Sequence, residues 1–346
     1  MLNRDYSLAS KLLHQLALRS RAVAEASFDM EQMLNKFDPG KVNESPVFIA
    51  GLARAGTTIL LRSLYQTDVF RSLTYRDMPF VLMPGTWRKV SSGFRQEMTA
   101  TERAHGDSIA IDYDSPEAFE EVFWRVFYGK QYIKDDYLES QILDDQACEQ
   151  FRRYVASILA SESASKNLRY LSKNNNNLLR LQGLKNSFPH SVIIIPFREP
   201  VQHALSLLRQ HENFLNIHSE DRFSLKYMNW LGHHEFGLNH KPFKFTGNVP
   251  PTVSRHSIDY WLDQWASAYI HTLERAPTDS IFLSYEDLCQ NPSETLARLM
   301  MRLNIPCSKD VAESISQAPN HSVENIDRKL LNRVQHIYER LMVVKL

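Results

Sequence analysis

Cysteine is scarce in this 346-residue sequence, which contains only Cys148, Cys289 and Cys307 and no C-x-x-C pair. An odd number of widely spaced cysteines predicts neither a disulfide framework nor a zinc site. Sparse, unpaired cysteines are typical of proteins in a reducing compartment. We therefore expect a cytoplasmic protein.

An excess of charge of either sign is also absent, because 40 Lys and Arg residues balance 40 Asp and Glu residues. A neutral chain lacks the broad positive field that attracts nucleic acids or anionic membranes. We expect no nucleic-acid partner, and any anion site must be built from a few local residues. The hydrophobic content of 43% is ordinary for a globular protein with an ample core.

Long apolar runs are missing as well. Near the N-terminus, Leu8, Leu12, Leu13 and Leu16 recur at helical spacing with charged and polar residues between them. This pattern predicts an amphipathic packing helix within residues 1–37, and neither a signal core nor a membrane span.

Short apolar runs, by contrast, recur between longer helical patterns. The runs predicted as strands are Val47–Ala50, Arg169–Leu171, Val192–Ile195 and Ile281–Leu283. Strands this short and apolar at nearly every position are typical of a parallel sheet that is buried on both faces. The sequence therefore predicts one α/β domain over residues 1–346, a single doubly wound parallel sheet with helices on both faces.

The helices are predicted from periodicity and from their start signals. The predicted segments are Thr57–Gln66, Pro116–Tyr128, Asn177–Ser187, Pro200–His211 and Ile258–Leu273. Ser115 is the expected N-cap of the second segment, with Glu117, Glu120 and Glu121 favoured by the helix dipole in its first turns. Asn291 and Pro292 signal another helix start. Residues 213–255, rich in His, Asn, Gly and Pro, are predicted to be an irregular insertion.

The stretch "FIAGLARAGTTILL" indicates a buried strand, a glycine-bounded turn and a helix, the arrangement that binds phosphate at a helix N-terminus. Against the nucleotide-loop pattern G-x-x-x-x-G-K-[ST], Gly51, Gly56 and Thr58 match, but Thr57 replaces the lysine. The cation of the turn is instead Arg54, whose planar fork of donors suits phosphate or sulfate oxygens. These residues predict a site for a terminal oxyanion that works without magnesium.

This loop resembles the 5′-phosphosulfate loop of sulfotransferases that use 3′-phosphoadenosine 5′-phosphosulfate (PAPS), although Ala55 stands where that family commonly has serine. A second stretch, "IIIPFREPVQHALSLL", resembles the family's 3′-phosphate element, with Arg198 after a strand and Ser206 eight positions later. Lys173 resembles the lysine that points at the transferring group, and Tyr285 lies in a Tyr-Glu-x-Leu run like the one near the family's nucleotide.

The resemblance implies an enzyme that transfers a sulfuryl group from PAPS to a hydroxyl of a saccharide, lipid or small metabolite. It implies that residues 54–58 hold the 5′-phosphosulfate, that Arg198 and Ser206 hold the 3′-phosphate with Tyr285 near the nucleotide, and that Arg54 and Lys173 act in catalysis. Two alternatives remain open: a nucleotide-binding relative with altered catalysis, and a phosphotransferase on the same loop fold.

The general base is predicted from position. The tyrosylprotein branch of the family has a glutamate where Thr74 stands, so Asp77 is the nearest carboxylate and the first candidate. His105 is the second candidate, because histidine suits base chemistry near neutral pH. The group His233, His234, Glu235 and His240 matches no ordinary zinc spacing, so we expect no metal. We predict instead a loop that folds over the acceptor, and we expect the irregular insertion at residues 213–255 to lie near the acceptor site.

Overall fold

The structure is a computed structural model that describes residues 8–35, 43–91, 101–102, 110–111, 114–162, 167–245, 253–306 and 326–346. His105 and Cys307 lie outside the described residues. Within the described ranges, no helix is both long and apolar enough to cross a lipid bilayer.

The central feature is a sheet of five parallel strands. The strands of the described chain are β1 (Val47–Ile49), β2 (Phe70–Arg71), β3 (Thr101–Glu102), β4 (Ala110–Ile111), β5 (Leu138–Glu139), β6 (Arg169–Lys173), β7 (Val192–Phe197), β8 (Phe243–Lys244) and β9 (Ile281–Ser284). The five-stranded sheet has the order β2-β6-β1-β7-β9, and every pairing in it is parallel. Two small sheets pair β3 with β4 and β5 with β8.

Helices surround this sheet. They are α1 (Leu8–His14), α2 (Arg21–Asn35), α3 (Thr57–Tyr65), α4 (Pro84–Ser91), α5 (Glu121–Tyr132), α6 (Asp145–Ala160), α7 (Leu181–Ser187), α8 (Pro200–Glu220), α9 (Arg222–Leu231), α10 (Ile258–Arg275), α11 (Tyr285–Gln290), α12 (Pro292–Arg302) and α13 (Arg328–Val344). A π-helical turn at Gln15–Arg19 continues α1, and 3-10 turns form at Tyr75–Asp77 and Asn175–Leu179.

Alternate side chains of the strands enter two separate hydrophobic cores. Val47 and Ile49 of β1 pack in one core with residues of α3 and α12. Phe48 packs in the other and larger core with residues of α5, α6, α10 and α13. Because both faces of the sheet are covered, the central strands β1 and β7 are apolar at every position. The prediction of a doubly wound parallel sheet with helices on both faces is confirmed.

The predicted helix at Pro116 is wrong at its start, because α5 begins only at Glu121. Pro116 forms an antiparallel bridge with Thr74, and the backbone N–H of Glu117 donates to the carbonyl of Leu73 over 3.0 Å. The carbonyl of Ser115, which would accept the first hydrogen bond of a helix starting at Pro116, instead accepts the N–H of Tyr75 over 3.4 Å. The prediction that Ser115 caps this helix is wrong for the same reason.

Two further segments differ from the prediction. Residues 213–231 are helical, since α8 continues to Glu220 and α9 follows, so the predicted irregular stretch is confined to the residues after Leu231. Asp221 ends one helix and caps the next by accepting a hydrogen bond from the N–H of Phe223 over 2.9 Å. The N-terminal region is two helical segments separated at Ser20.

Candidate functional site: an anion site at the carboxyl edge of the sheet

The glycine loop, residues 51–58, follows β1 directly at the centre of the sheet. Gly51 lies so close to β7 that an added Cβ would stand 3.0 Å from the carbonyl oxygen of Pro196. Arg54 and Gly56 adopt left-handed backbone conformations, with φ of 71° and 81°. Gly56 is the N-cap of α3 and brings no side chain to the first N–H groups of that helix, while the buried Thr57 and Thr58 open it. This geometry directs backbone donors toward an anion.

A buried histidine from α8 holds the loop in place. The Nε2 of His203 lies 2.8 Å from the carbonyl oxygen of Ala53. Burial is the main cause that lowers the pKa of His203 to about 3; the bond with Ala53 opposes this shift, and the charges of Arg198 and Arg54 add to it. The ring is therefore neutral and donates to the carbonyl. The sequence prediction missed His203, whose only signal was its position five residues after Arg198 on a helix that faces the loop.

Three predicted residues meet beside this loop. The Nε of Arg54 donates to the hydroxyl of Ser206 over 3.2 Å. The guanidinium of Arg198, 7% exposed, lies over the ring of Tyr285 at 4.6 Å from its centroid. The indole N–H of Trp265 donates to the backbone carbonyl of Arg198 over 3.2 Å, which fixes the start of α8. The guanidinium groups of Arg54 and Arg198 thus lie at neighbouring positions along the carboxyl edge of the sheet.

Tyr285 lies close to both of these arginines. Burial and its hydrogen bond with Cys289 raise the pKa of Tyr285 to about 12, while the charges of Arg198 and Arg54 act in the opposite direction. The phenol stays neutral, and its ring supplies a flat face on which the Arg198 guanidinium stacks. An added Cβ at Gly56 would lie 2.9 Å from the Cδ2 of Tyr285, so the glycine also keeps the ring close to the loop.

Lys173 stands at the carboxyl end of β6, next to β1. Its Cα pairs with Ile49 in the parallel register, and the N–H of Asn174 donates to the carbonyl of Ile49 over 3.1 Å. The side chain is 9% exposed. Because β1 lies between β6 and β7, Lys173, the glycine loop and Arg198 follow three adjacent strands at the switch point of the sheet, where such folds bind ligands.

The four asparagines after Lys173 are buried, which their low-complexity sequence did not indicate. Asn174 Nδ2 donates to Glu121 over 2.7 Å, and Asn177 Nδ2 donates to Glu120 over 3.0 Å. Arg180 pairs with Glu121 over 2.8 Å in the core. Burial raises the pKa of Glu121, but the Arg180 charge and the hydrogen bonds from Arg180, Tyr132 and Asn174 outweigh burial, so its pKa is lowered.

This network adds a role to the helical glutamates. Glu120 and Glu121 lie at the N-terminus of α5, where the helix dipole favours them, and they are also buried acceptors that hold the chain following Lys173. A buried carboxylate that is paired and hydrogen-bonded on several sides is a rigid anchor. The end of β6 that carries Lys173 is consequently held in place by the buried glutamates.

Asp77 lies apart from this arrangement, in a buried ion pair. Its Oδ1 lies 2.7 Å from the Nη2 of Arg71, and its Oδ2 accepts the backbone N–H of Thr74 over 2.8 Å. With 2% of its surface exposed, Asp77 is a structural carboxylate of the 3-10 turn. These contacts do not support the prediction that Asp77 is the general base. His105, outside the described residues, remains a prediction.

The histidine-rich segment after α9 packs near Lys173. Glu235 Oε1 accepts a hydrogen bond from Asn175 Nδ2 over 3.0 Å and lies 3.4 Å from His233 Nδ1. Burial lowers the pKa of His233, but Glu235 raises it more, so the net shift is upward. Burial raises the pKa of Glu235, while His233, and to a smaller degree Lys173, lower it well below its usual range.

Metal ligation by these histidines receives no support from their contacts. His240 Nε2 lies 2.8 Å from the hydroxyl of Tyr260, and its Nδ1 lies 3.2 Å from the carbonyl of His234. Among the residues that the structure describes, no group of three or more His, Cys, Asp or Glu side chains is placed to hold a metal ion.

The comparisons with known proteins agree with this geometry. A profile of a family described as the sulfotransferase family matches residues 46–309. Sulfotransferase STF9 from Mycobacterium avium is similar in structure, with a TM-score of 0.52, 13% identity, and coverage of 95% of this chain and 84% of that one. Sulfotransferase STF1 from Mycobacterium tuberculosis has a TM-score of 0.50, 14% identity, and coverage of 96% and 86%. No curated protein sequence matches the chain significantly.

Proposed function

Because the chain belongs to the sulfotransferase family, we propose that it transfers the sulfuryl group of PAPS to an acceptor hydroxyl. The observation that carries the choice of donor is the pair of cationic positions on one sheet edge. Arg54 with the N-terminus of α3 forms one, and Arg198 with Tyr285 forms the other, linked by the bond from Arg54 to Ser206. A donor with separate 5′ and 3′ anionic groups requires two such positions.

The residues fit the two groups differently. The N–H groups of the glycine loop, with Thr57, Thr58 and Arg54, would hold the 5′-phosphosulfate, because a helix N-terminus and a guanidinium both favour oxyanions. Arg198 and Ser206 would hold the 3′-phosphate. The loop lies close to Pro196 and Tyr285 because Gly51 and Gly56 have no Cβ. A Cβ at Gly51 would collide with Pro196, and one at Gly56 would collide with Tyr285.

In the transfer, the acceptor oxygen forms a bond to sulfur as the bond between sulfur and the bridging phosphate oxygen breaks. Lys173 would stabilise the negative charge that develops on the sulfuryl and bridging oxygens, and Arg54 would stabilise the leaving phosphate. The hydroxyl proton passes to a base, for which His105 is the remaining sequence candidate. The products are a sulfate ester and adenosine 3′,5′-bisphosphate (PAP).

Calorimetry of PAP, and separately of ATP with magnesium, tests this proposal. The wild-type protein should prefer PAP, and Arg198→Ala should weaken PAP binding at least about tenfold, because a charge-assisted bond contributes about 1.5 to 3 kcal/mol. Arg209→Ala is the matched control, since Arg209 lies exposed on the same helix. Preference for ATP with magnesium, or equal PAP affinity in wild type and Arg198→Ala, would contradict the donor assignment.

A further inference from the structure

A cleft of about 410 Å³, including the space open to solvent at its mouth, lies beside the glycine loop. Leu52 and Ala53 of that loop form one side, and Leu207, which follows Ser206 in α8, forms another. The remaining wall comes from the segment after α9, which includes Phe236 and Phe243, and from α10. The cleft therefore borders both elements of the proposed anion site.

The walls of this cleft are mainly apolar. The large apolar side chains that line it are Leu52, Leu138, Leu207, Phe236, Phe243 and Trp261. Three polar lining residues make bonds within the protein. Gln264 accepts the N–H of Phe243 over 3.2 Å, His240 bonds to Tyr260, and Lys241 donates to the carbonyl of Lys134 over 2.7 Å.

Glu235 is the lining residue that joins the cleft to the predicted transfer centre. It accepts a hydrogen bond from Asn175, two residues after Lys173, and the Lys173 charge contributes to lowering its pKa. Its carboxylate is therefore ionised at neutral pH. Because a carboxylate offers about four acceptor positions, Glu235 can accept a further hydrogen bond beside those from Asn175 and His233.

We propose that this cleft binds the acceptor, and that the acceptor is an alcohol or phenol with an apolar aliphatic or aromatic body whose hydroxyl is oriented by Glu235. The proposal rests on the proposed function, because it places that hydroxyl toward Lys173. A saccharide would bring several hydroxyls against apolar walls, and each buried hydroxyl without a partner costs binding free energy. An anionic acceptor would meet the charge of Glu235.

Binding of defined probes to the protein saturated with PAP tests the cleft. We would titrate 2-naphthol and 1-octanol as apolar probes and methyl α-glucoside as the polar comparison. Phe243→Ser should weaken binding of the apolar probes about tenfold, because it removes a large apolar contact. Phe223→Ser is the matched control, since Phe223 is also half-buried but lies on α9 outside the cleft lining. Its affinities should equal those of the wild type.

A second variant, Glu235→Gln, keeps the side-chain shape and should weaken binding of 2-naphthol about three- to tenfold, because a neutral amide oxygen accepts a weaker hydrogen bond than a carboxylate. PAP affinity, measured in every variant, verifies that the donor site is folded. If PAP binds but neither apolar probe does, or if methyl α-glucoside binds as well as they do, the acceptor assignment is overturned and the donor assignment stands. If PAP does not bind to the wild-type protein, both the donor assignment and the acceptor assignment are overturned.

Discussion

Arg54 and Ser206, 152 positions apart in the chain, are joined by a hydrogen bond of 3.2 Å from the guanidinium Nε to the hydroxyl. The bond connects the glycine loop after β1 to the helix after β7. It fixes the direction of a side chain that leaves the backbone at a left-handed residue. The two proposed anion positions are thereby held at one separation in the free protein, which would reduce the free-energy cost of ordering them on binding.

Ser206→Ala should weaken PAP binding about three- to tenfold, because it removes a partner of Arg54 and a proposed contact of the 3′-phosphate. Calorimetry would measure the change. Ser219→Ala on the same helix is the control, since the Ser219 hydroxyl is exposed and bonds to the carbonyl of Asn216 in its own helix. An unchanged PAP affinity in Ser206→Ala would show that this hydroxyl plays no part in the anion site.

Gly56→Ala should destabilise the protein by about 1 to 2 kcal/mol, because the new Cβ would enter a left-handed conformation 2.9 Å from the Tyr285 ring. Urea denaturation would measure the free energy of unfolding. The same substitution at Gly129, inside α5 with its nearest neighbour 3.7 Å from an added Cβ, should stabilise the protein by about 0.5 to 1 kcal/mol. Equal effects at the two glycines would contradict the steric account.

Arg180→Met should cost about 3 to 5 kcal/mol of stability, because it leaves the buried carboxylate of Glu121 without its charged partner. Arg333→Met removes an ion pair with Asp263 at the surface and should change stability by less than about 1 kcal/mol. Thermal and urea unfolding of both variants would give the comparison. Similar losses would mean that the buried pair is no more important than the exposed one.

Acid should destabilise the fold through three buried histidines. Burial lowers the pKa of His203 and His240 to about 3 and that of His211 to about 4, all from 6.5. Between pH 6.5 and about 4, the unfolded chain binds protons that the folded chain does not. The free energy of unfolding therefore decreases as the pH is lowered through this range, by up to about 1.4 kcal/mol per pH unit for each histidine.

A variant separates this effect from general acid denaturation. His240→Asn should reduce the slope of the free energy of unfolding against pH over this range by the contribution of one histidine, which is up to about 1.4 kcal/mol per pH unit. His336→Asn is the control, because His336 is 73% exposed. Urea midpoints measured at several pH values would give the slopes, and a slope that is the same in His240→Asn and wild type would rule out His240 as a contributor.

The parts of this protein that the sequence predicted well depend on local patterns. The four apolar runs became β1, β6, β7 and β9, because strands buried on both faces are apolar at successive positions. The glycine loop was predictable for a similar reason, since the left-handed turn at Gly56 and the helix start at Thr57 are encoded within a few residues.

The sequence was a poor guide where a partner outside the local pattern decides. Asp77 was chosen as the nearest carboxylate, but Arg71, six residues earlier, pairs with it in the core. Pro116 was predicted to start a helix, but it forms an antiparallel β-bridge with Thr74, 42 residues earlier. The asparagine run gave no signal of burial, but its side chains donate hydrogen bonds to Glu120 and Glu121 in the core. His203 became visible only when the fold placed it against Ala53.

The walls of the cleft and the anion site come largely from different stretches of the chain. The segment after α9 supplies Phe236 and Phe243, while β1, β6 and β7 lead into the cationic residues. Under the assignments proposed above, exchanges among these wall residues would change which alcohols bind, one side chain at a time, and would leave the residues proposed to hold the donor in place.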